Sequence, residues 1–193
     1  MIRKKIIFIF LIFFFITINS HPTKANLRDD LIEKLNDIKN ISFDFEQKIA
    51  NKIEIGNCII EYQKLMQCDY NDTFRKRLIS NGKTLAIIQK RYNKIFYYKL
   101  SSTPLEYILD KEFIIQKIKN SPINNYNDKL IYISYQKNKQ QIDIFFDKKK
   151  LIIQGWITND IYNNQVQFKI KNPIINQNIN KNLFKIPKLS DFN

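Results

Sequence analysis

Apolar positions recur along this chain with three different periods, and the order of those periods predicts its elements. Residues 6–18 are apolar almost without break. Over residues 27–39, Leu27, Leu31, Leu35 and Ile38 fall at helical spacing, with Asn26 placed to cap the helix and Asp29 and Asp30 in its first turn. The period then switches to two. Ile41, Phe43, Phe45, Gln47 and Ile49 alternate with Ser42, Asp44, Glu46 and Lys48, the pattern of a strand with one wet and one dry face. Strands follow at residues 58–62 and 65–70, as a hairpin turning near Gln63. Two more, 77–80 and 84–89, flank Asn81-Gly82, a strong signal for a tight turn. Residues 95–100, 130–136, 141–146, 151–158, 165–171 and a short 183–186 complete a set of ten or eleven strands. One interruption stands in the middle: residues 102–110 predict a short helix, with Ser102 or Thr103 as cap and Pro104 in the first turn, and a second weak helix at 111–118. Residues 119–129 form an Asn-rich connector. The pattern holds no internal repeat and no linker.

The first apolar run differs in kind. Arg3, Lys4 and Lys5 precede it, and Asn19 to Ala25 follow as a polar, Pro-containing stretch with small residues before a cut after Ala25. That order reads as a cleaved secretory signal over residues 1–25, with a cut after Ser20 as a variant. A permanent anchor is the competing reading, but thirteen residues fall short of the ~20 that span a bilayer. Residues 26–193 then form a single domain that works outside the cytoplasm, of a size that suits one core.

Export narrows the chemistry. His21, the chain's one histidine, leaves with the signal, so no imidazole remains for a nucleophilic triad or a metal. Three scattered glycines make no phosphate loop. The acidic pairs Asp143 with Asp147 and Asp110 with Glu112 read as solvated carboxylates. We expect no enzyme, no catalytic residue, no metal and no cofactor. After residues 1–25 are gone, 28 basic residues stand against 18 acidic ones, a net charge of +10. Only five of the full chain's basic residues are arginine, and the Lys, Asn and Ile content fits AT-rich codons. The lysines are scattered through every segment, and an exported protein rarely meets DNA, so no nucleic acid is expected. A basic surface of this kind also suits an anionic membrane or an acidic partner.

Cys58 and Cys68 lie symmetrically about Gln63. In a hairpin turning there they face each other, which allows a cross-strand disulfide in an oxidising compartment, or two buried thiols acting as small apolar residues. Both lie too far from any cleavage point to carry a lipid.

About ten antiparallel strands must bury one face, and few helices are available to cover it. The fold class is therefore α+β, mainly antiparallel β. The inward set is large and apolar: Phe43, Phe45, Ile60, Tyr62 and Met66. Any one of them, taken alone, reads first as an ordinary core side chain.

In sequence order the chain carries Phe45-Glu46-Gln47, a Gly56 strand and hairpin to Tyr70, Ser80-Asn81-Gly82-Lys83, a Thr-Pro segment from Thr103 to Ile108, and Leu183-Phe184-Lys185-Ile186-Pro187. In that order, after a signal, these motifs resemble the LolA-type outer-membrane lipoprotein carriers of Gram-negative bacteria. The resemblance implies an unclosed curved β-barrel with a short helical lid. It implies an apolar cavity lined by Phe43, Phe45, Ile60, Tyr62, Met66 and Cys68, under a lid of Pro104, Leu105, Tyr107, Ile108 and Leu109. It further implies a monomer in the periplasm that takes acylated lipoproteins from an inner-membrane lipoprotein-releasing transporter to an outer-membrane acceptor, protein or lipid. Many members carry Arg-Pro at the end of the second strand, the arginine latching the lid. Here Tyr62-Gln63 stands in that place, and a phenol offers one hydrogen bond where a guanidinium offers a fork. The rival reading is a periplasmic binding or sensor module on the same curved sheet, with a filled interior and a protein partner.

Overall fold

The computed structural model describes residues 26–192 other than 63, 138, 139, 161 and 162, so the leader of residues 1–25 lies outside the described residues. The elements run α1 (Leu27–Asp37), β1 (Asn40–Ile49), β2 (Lys52–Glu61), β3 (Leu65–Tyr70), β4 (Lys76–Asn81), β5 (Thr84–Gln89), β6 (Lys94–Lys99), α2 (Leu105–Ile108), α3 (Lys111–Asn120), β7 (Asn124–Asn125), β8 (Leu130–Lys137), β9 (Gln140–Asp147), β10 (Ile153–Asn159) and β11 (Gln165–Ile175). Eleven strands form one open antiparallel sheet in the order β6-β5-β4-β3-β2-β1-β11-β10-β9-β8-β7. Two meanders, β1 to β6 and β7 to β11, meet where β1 pairs with β11. The alternation predicts a mainly antiparallel, few-helix fold of ten or eleven strands, and the family resemblance an unclosed one; both describe this sheet.

All three helices lie on one face of the sheet. Leu31 and Leu35 of α1, and Ile114, Ile115 and Ile118 of α3, join the inward residues of the strands in one core. The two longer helices are tied at both ends. The Arg28 guanidinium donates to the Ser121 carbonyl at 3.0 Å, and the Lys111 ammonium donates to the Asn36 and Ile38 carbonyls at 3.2 Å. A second, smaller cluster of Ile79, Ala86 and Ile88 sits on the outer face of β4 and β5, where Ile186 packs on it.

The tight turn between β4 and β5 forms as expected. Gly82 adopts φ +92°, and the Asn81 carboxamide oxygen accepts from the N–H groups of Lys83 and Thr84 at 3.1 and 2.9 Å. Three expectations need correcting. Residues 183–186 do not form a strand: Lys181–Phe184 is a 3-10 turn capped by the Asn180 side chain, and burying Phe184 holds it down. The Asn-rich connector contains the two-residue strand β7. β2 starts at Lys52, because its outer face carries exposed Ile53 and Ile55, which a search for a wet face passes over.

Candidate functional site

Cross-strand register sets the inner face in rows. One row runs Phe43, Cys58, Cys68, Leu78, Ile87, Phe96 across β1 to β6, and the next runs Ile41, Ile60, Met66, Ser80, Leu85, Tyr98. Along the first row burial falls from 4 % exposure at Phe43 to 43 % at Phe96. Apolar inner surface therefore runs outward past the cover of the helices.

Beneath α2 the packing leaves a cavity of about 130 Å³. Met66, Cys68, Tyr70 and Leu78 form one wall, and Trp156, Thr158, Val166 and Phe168 form the opposite one. Pro104, Leu105 and Ile108 form the roof, with Gln47 at the rim. The volume approaches that of a cavity known to accept one benzene. With α2 in this position the space holds only a short piece of hydrocarbon.

The sequence-predicted lining residues are all buried, but they divide into three groups. Met66 and Cys68 border the cavity. Phe45, Phe43 and Ile60 lie in the core beside it. Phe45 stacks on Phe168 at 4.8 Å and meets Tyr70 edge-on at 4.9 Å, while Phe168 stacks on Trp156 at 4.0 Å. This three-ring pile is a rigid floor. Gly56 makes room for the Asp69 carbonyl and for this pile, since a Cβ there would run into the carbonyl oxygen and lie 2.7 Å from the Phe45 ring. Tyr62 turns instead toward a separate, polar hollow with Lys39, Glu61, Lys64 and Asp110, and burial pushes its phenol well above the ordinary tyrosine range. Sequence reasoning missed Trp156, Phe168 and Val166. Their alternation on β10 and β11 was legible, but the pairing of β11 with β1 was not.

The predicted lid residues divide as well. Pro104, Leu105 and Ile108 face the cavity. Tyr107 packs on Phe113 at 4.9 Å, and Phe113 meets Tyr135 of β8 at 5.2 Å. Leu109 is fully buried in the core and borders the polar hollow. A cation latches this segment. The Lys64 ammonium, at the tip of the β2–β3 hairpin, donates to the Glu106 carboxylate on α2 and pairs with Asp110 at 3.0 Å. Asp110 in turn caps α3 by accepting the Phe113 N–H at 3.0 Å. Ser80 is fully buried and donates to the Lys64 carbonyl at 2.6 Å, which fixes the hairpin tip. The position two residues beyond Tyr62 thus supplies a positive charge to the segment that roofs the cavity.

Cys58 and Cys68 sit opposite each other in register and form a disulfide, with Cα atoms 4.1 Å apart. At the cavity rim the Tyr70 hydroxyl donates to the Gln47 carboxamide oxygen at 3.1 Å, and the Gln47 NH₂ donates to Glu54. Burial by itself would raise the Glu54 pKa. Hydrogen bonds from Lys52 and Lys76 outweigh it, leaving the carboxyl below its ordinary value. Among the described residues no helix is long and apolar enough to cross a membrane, and no three His, Cys, Asp or Glu side chains gather as a metal site.

Comparison with known proteins gives one family match: the family described as outer membrane lipoprotein carrier protein LolA matches residues 36–187. No curated protein matches the chain. Among solved structures, an uncharacterized conserved protein from Thermus thermophilus aligns with 84 % of this chain and 96 % of its own, at TM-score 0.53 and 7 % identity. A LolA superfamily protein from Nitrosomonas europaea aligns with 84 % of this chain and 99 % of its own, at TM-score 0.44 and 6 % identity. Pseudomonas aeruginosa MucB, solved in complex with MucA, aligns with 83 % of this chain and 61 % of its own, at TM-score 0.46 and 8 % identity. At such identities the likeness is one of fold.

Proposed function

The chain belongs to the outer membrane lipoprotein carrier (LolA) family, and from that premise we propose that it binds the acyl chains of lipoproteins under α2 and carries them across the periplasm. On this reading residues 1–25 direct export and are removed, an inner-membrane transporter loads residues 26–193, and an outer-membrane acceptor unloads them. No chemistry is performed on the cargo.

The observation that carries the proposal is a mostly apolar cavity roofed by a helix of only four residues. Undocking α2 exposes Leu105, Ile108 and Leu109 at about 2 kcal/mol each. The Lys64 ion pairs, partly exposed, add about 1 kcal/mol at most. A buried methylene returns ~0.8 kcal/mol. Eight or nine methylenes therefore offset an open lid, and the loaded and empty states lie close in free energy. Near-balance is what a carrier needs, because a pocket that satisfied its guest fully would not release it.

The chain's single tryptophan, Trp156, borders the cavity, so its emission should respond to a guest there. We expect a triacylated lipopeptide to shift Trp156 emission, brominated acyl chains to quench it, and the same peptide without acyl chains to do neither. Protein prepared from periplasm should carry lipid detectable by mass spectrometry. An unresponsive Trp156 together with lipid-free protein would leave only the rival reading, a partner-binding module of this fold.

A further inference from the structure

The two edges of the sheet are built differently. β7 is two residues long. β6 is six, and among the described residues nothing pairs with its outer side. Proteins usually blunt such edges with short strands, inward charges or a cover. Here Ile95 to Tyr98 run without a charge, and Phe96, Tyr97 and Tyr98 are 43, 56 and 46 % exposed.

The backbone at this edge is available. The Leu100 N–H donates to the Lys83 carbonyl at 2.8 Å, which marks Lys83 and Leu100 as a hydrogen-bonded pair of the β5–β6 ladder. Antiparallel alternation then turns the peptide groups of Phe96 and Tyr98 toward β5 and leaves those of Ile95, Tyr97 and Lys99 facing outward.

The charge around the edge is one-sided. Residues 73–105 contain eight Lys and Arg and no Asp or Glu. Lys76 pairs with Glu54 of β2, and Arg77 with Asp69 of the adjacent β3. Among the described residues the other six, Arg75, Lys83, Lys90, Arg91, Lys94 and Lys99, have no ion pair. Burial, and then the charge of Arg77, hold the Lys90 ammonium below the ordinary lysine range, against the opposing pull of Asp69. The lysines alone are scattered; the absence of acids is not, and it falls on this one wing of the sheet.

A second copy of the chain would bring an equally basic edge against this one, so like charge opposes self-pairing. A lipid headgroup supplies acceptors but no matching ladder of donors. An extended backbone supplies both. We infer that β6 takes an acidic, extended segment of a partner protein as a twelfth strand, its inward side chains resting on Phe96 and Tyr98 and its outward carboxylates facing Lys99. The inference goes beyond lipid carriage and does not depend on the cavity.

The test is fluorescence anisotropy of a fluorescein-labelled peptide of alternating Glu and Val, titrated with the protein. Three comparisons accompany it: the same peptide N-methylated at every second residue along its pairing edge, the variant Tyr97→Pro, and vesicles containing phosphatidylglycerol. Because the Tyr97 N–H faces outward, proline is tolerated there. The unmodified peptide should bind, and both N-methylation and Tyr97→Pro should weaken it at least about tenfold, as expected for one or two lost backbone hydrogen bonds. Tyr97→Pro should leave the Trp156 response to lipopeptide unchanged, so this inference and the carrier reading fail separately. Equal affinity for the N-methylated peptide would reduce the contact to charge alone and overturn the pairing. Binding to the vesicles but not to the peptide would assign the wing to a membrane and overturn it as well. If Tyr97→Pro does not fold, the two peptides against the unaltered protein still decide.

Discussion

Lys64 and Glu106, 42 residues apart, join the tip of the β2–β3 hairpin to the four-residue helix that roofs the cavity. Tyr62 stands where the resemblance places an arginine, yet α2 is still held by a cation, from a neighbouring place and from outside the apolar interior. Removing that charge tests whether it governs opening. Lys64→Met keeps the stem and deletes the ammonium. Both partners are partly exposed, so the expected loss of stability is only about 1 kcal/mol, a few degrees in Tm. Lipopeptide uptake, followed by stopped-flow Trp156 fluorescence, should nevertheless become several-fold faster, and Lys64→Arg should restore the slow rate. The hydrogen bond to Glu106 raises the Lys64 pKa above its ordinary value, so the latch is fully charged below that value and weakens only as alkaline pH passes the raised one. Between about pH 6 and pH 9 the uptake rate should not change through this group.

Gly56 and Phe45 face each other across β1 and β2, and a methyl group at residue 56 meets both the Phe45 ring and the Asp69 carbonyl. Gly56→Ala should cost about 2 kcal/mol, as overpacking in a filled core does, and should loosen the stack of Phe45 on Phe168. Urea denaturation measures the first effect. Partial recovery in Gly56→Ala with Phe45→Leu would locate it at the ring.

How far the sequence carried these elements follows the range of the interactions involved. Alternation in β1, the Asn81-Gly82 turn and the spacing of Leu31 and Leu35 are local, and each is visible in a window of a few residues. The pairing of Phe45 with Ile170 spans most of the chain and leaves no local trace. For that reason Trp156 and Phe168 were not recognised as the far wall of the cavity. Lys64 was also missed: a lysine in a turn reads as a solvated charge until its two acidic partners on α2 and at the start of α3 are placed. The Leu183 to Ile186 run had strand composition, but no unpaired edge remained beside it.

The disulfide joins cysteines ten residues apart, both buried on the inner face, with Cys68 at the cavity. A loop of that size constrains the unfolded chain by about 2.5 kcal/mol. Reductant, or the pair Cys58→Ala with Cys68→Ala, should lower the urea midpoint by a corresponding amount. Since both residues remain small, Trp156 should still respond to lipopeptide.

Glu54 links the cavity rim to acid stability. Burial raises its pKa, the hydrogen bonds from Lys52 and Lys76 lower it further than that, and the net shift is downward. A carboxyl whose folded pKa lies below its unfolded one stabilises the protein above the unfolded value and loses that contribution as pH falls through the folded one. Thermal melts should therefore drop below about pH 4.5. Glu54→Ala should be destabilised by about 3 kcal/mol at neutral pH, with Lys76 left partly buried and unpaired, and its melts should depend less on acid.

The balance between lid and guest makes a prediction about chain length. The cavity as α2 roofs it admits a fragment near the size of benzene, and on the carrier reading a longer chain displaces Leu105 and Ile108. Lipopeptides with acyl chains of about four to six carbons return less than the roughly 7 kcal/mol that an open lid costs, at ~0.8 kcal/mol per methylene. Their affinity should be weak and nearly flat with length. Beyond about nine carbons each added methylene should strengthen binding by close to fourfold, because the lid has already moved and only burial is gained. Leu105→Ala lowers the cost of opening and should shift the break toward shorter chains by roughly two or three carbons. Titrating a series of acyl chains from butanoyl to hexadecanoyl against Trp156 emission measures the break. A single slope across the whole series, the same in Leu105→Ala, would mean that α2 does not move to admit the guest.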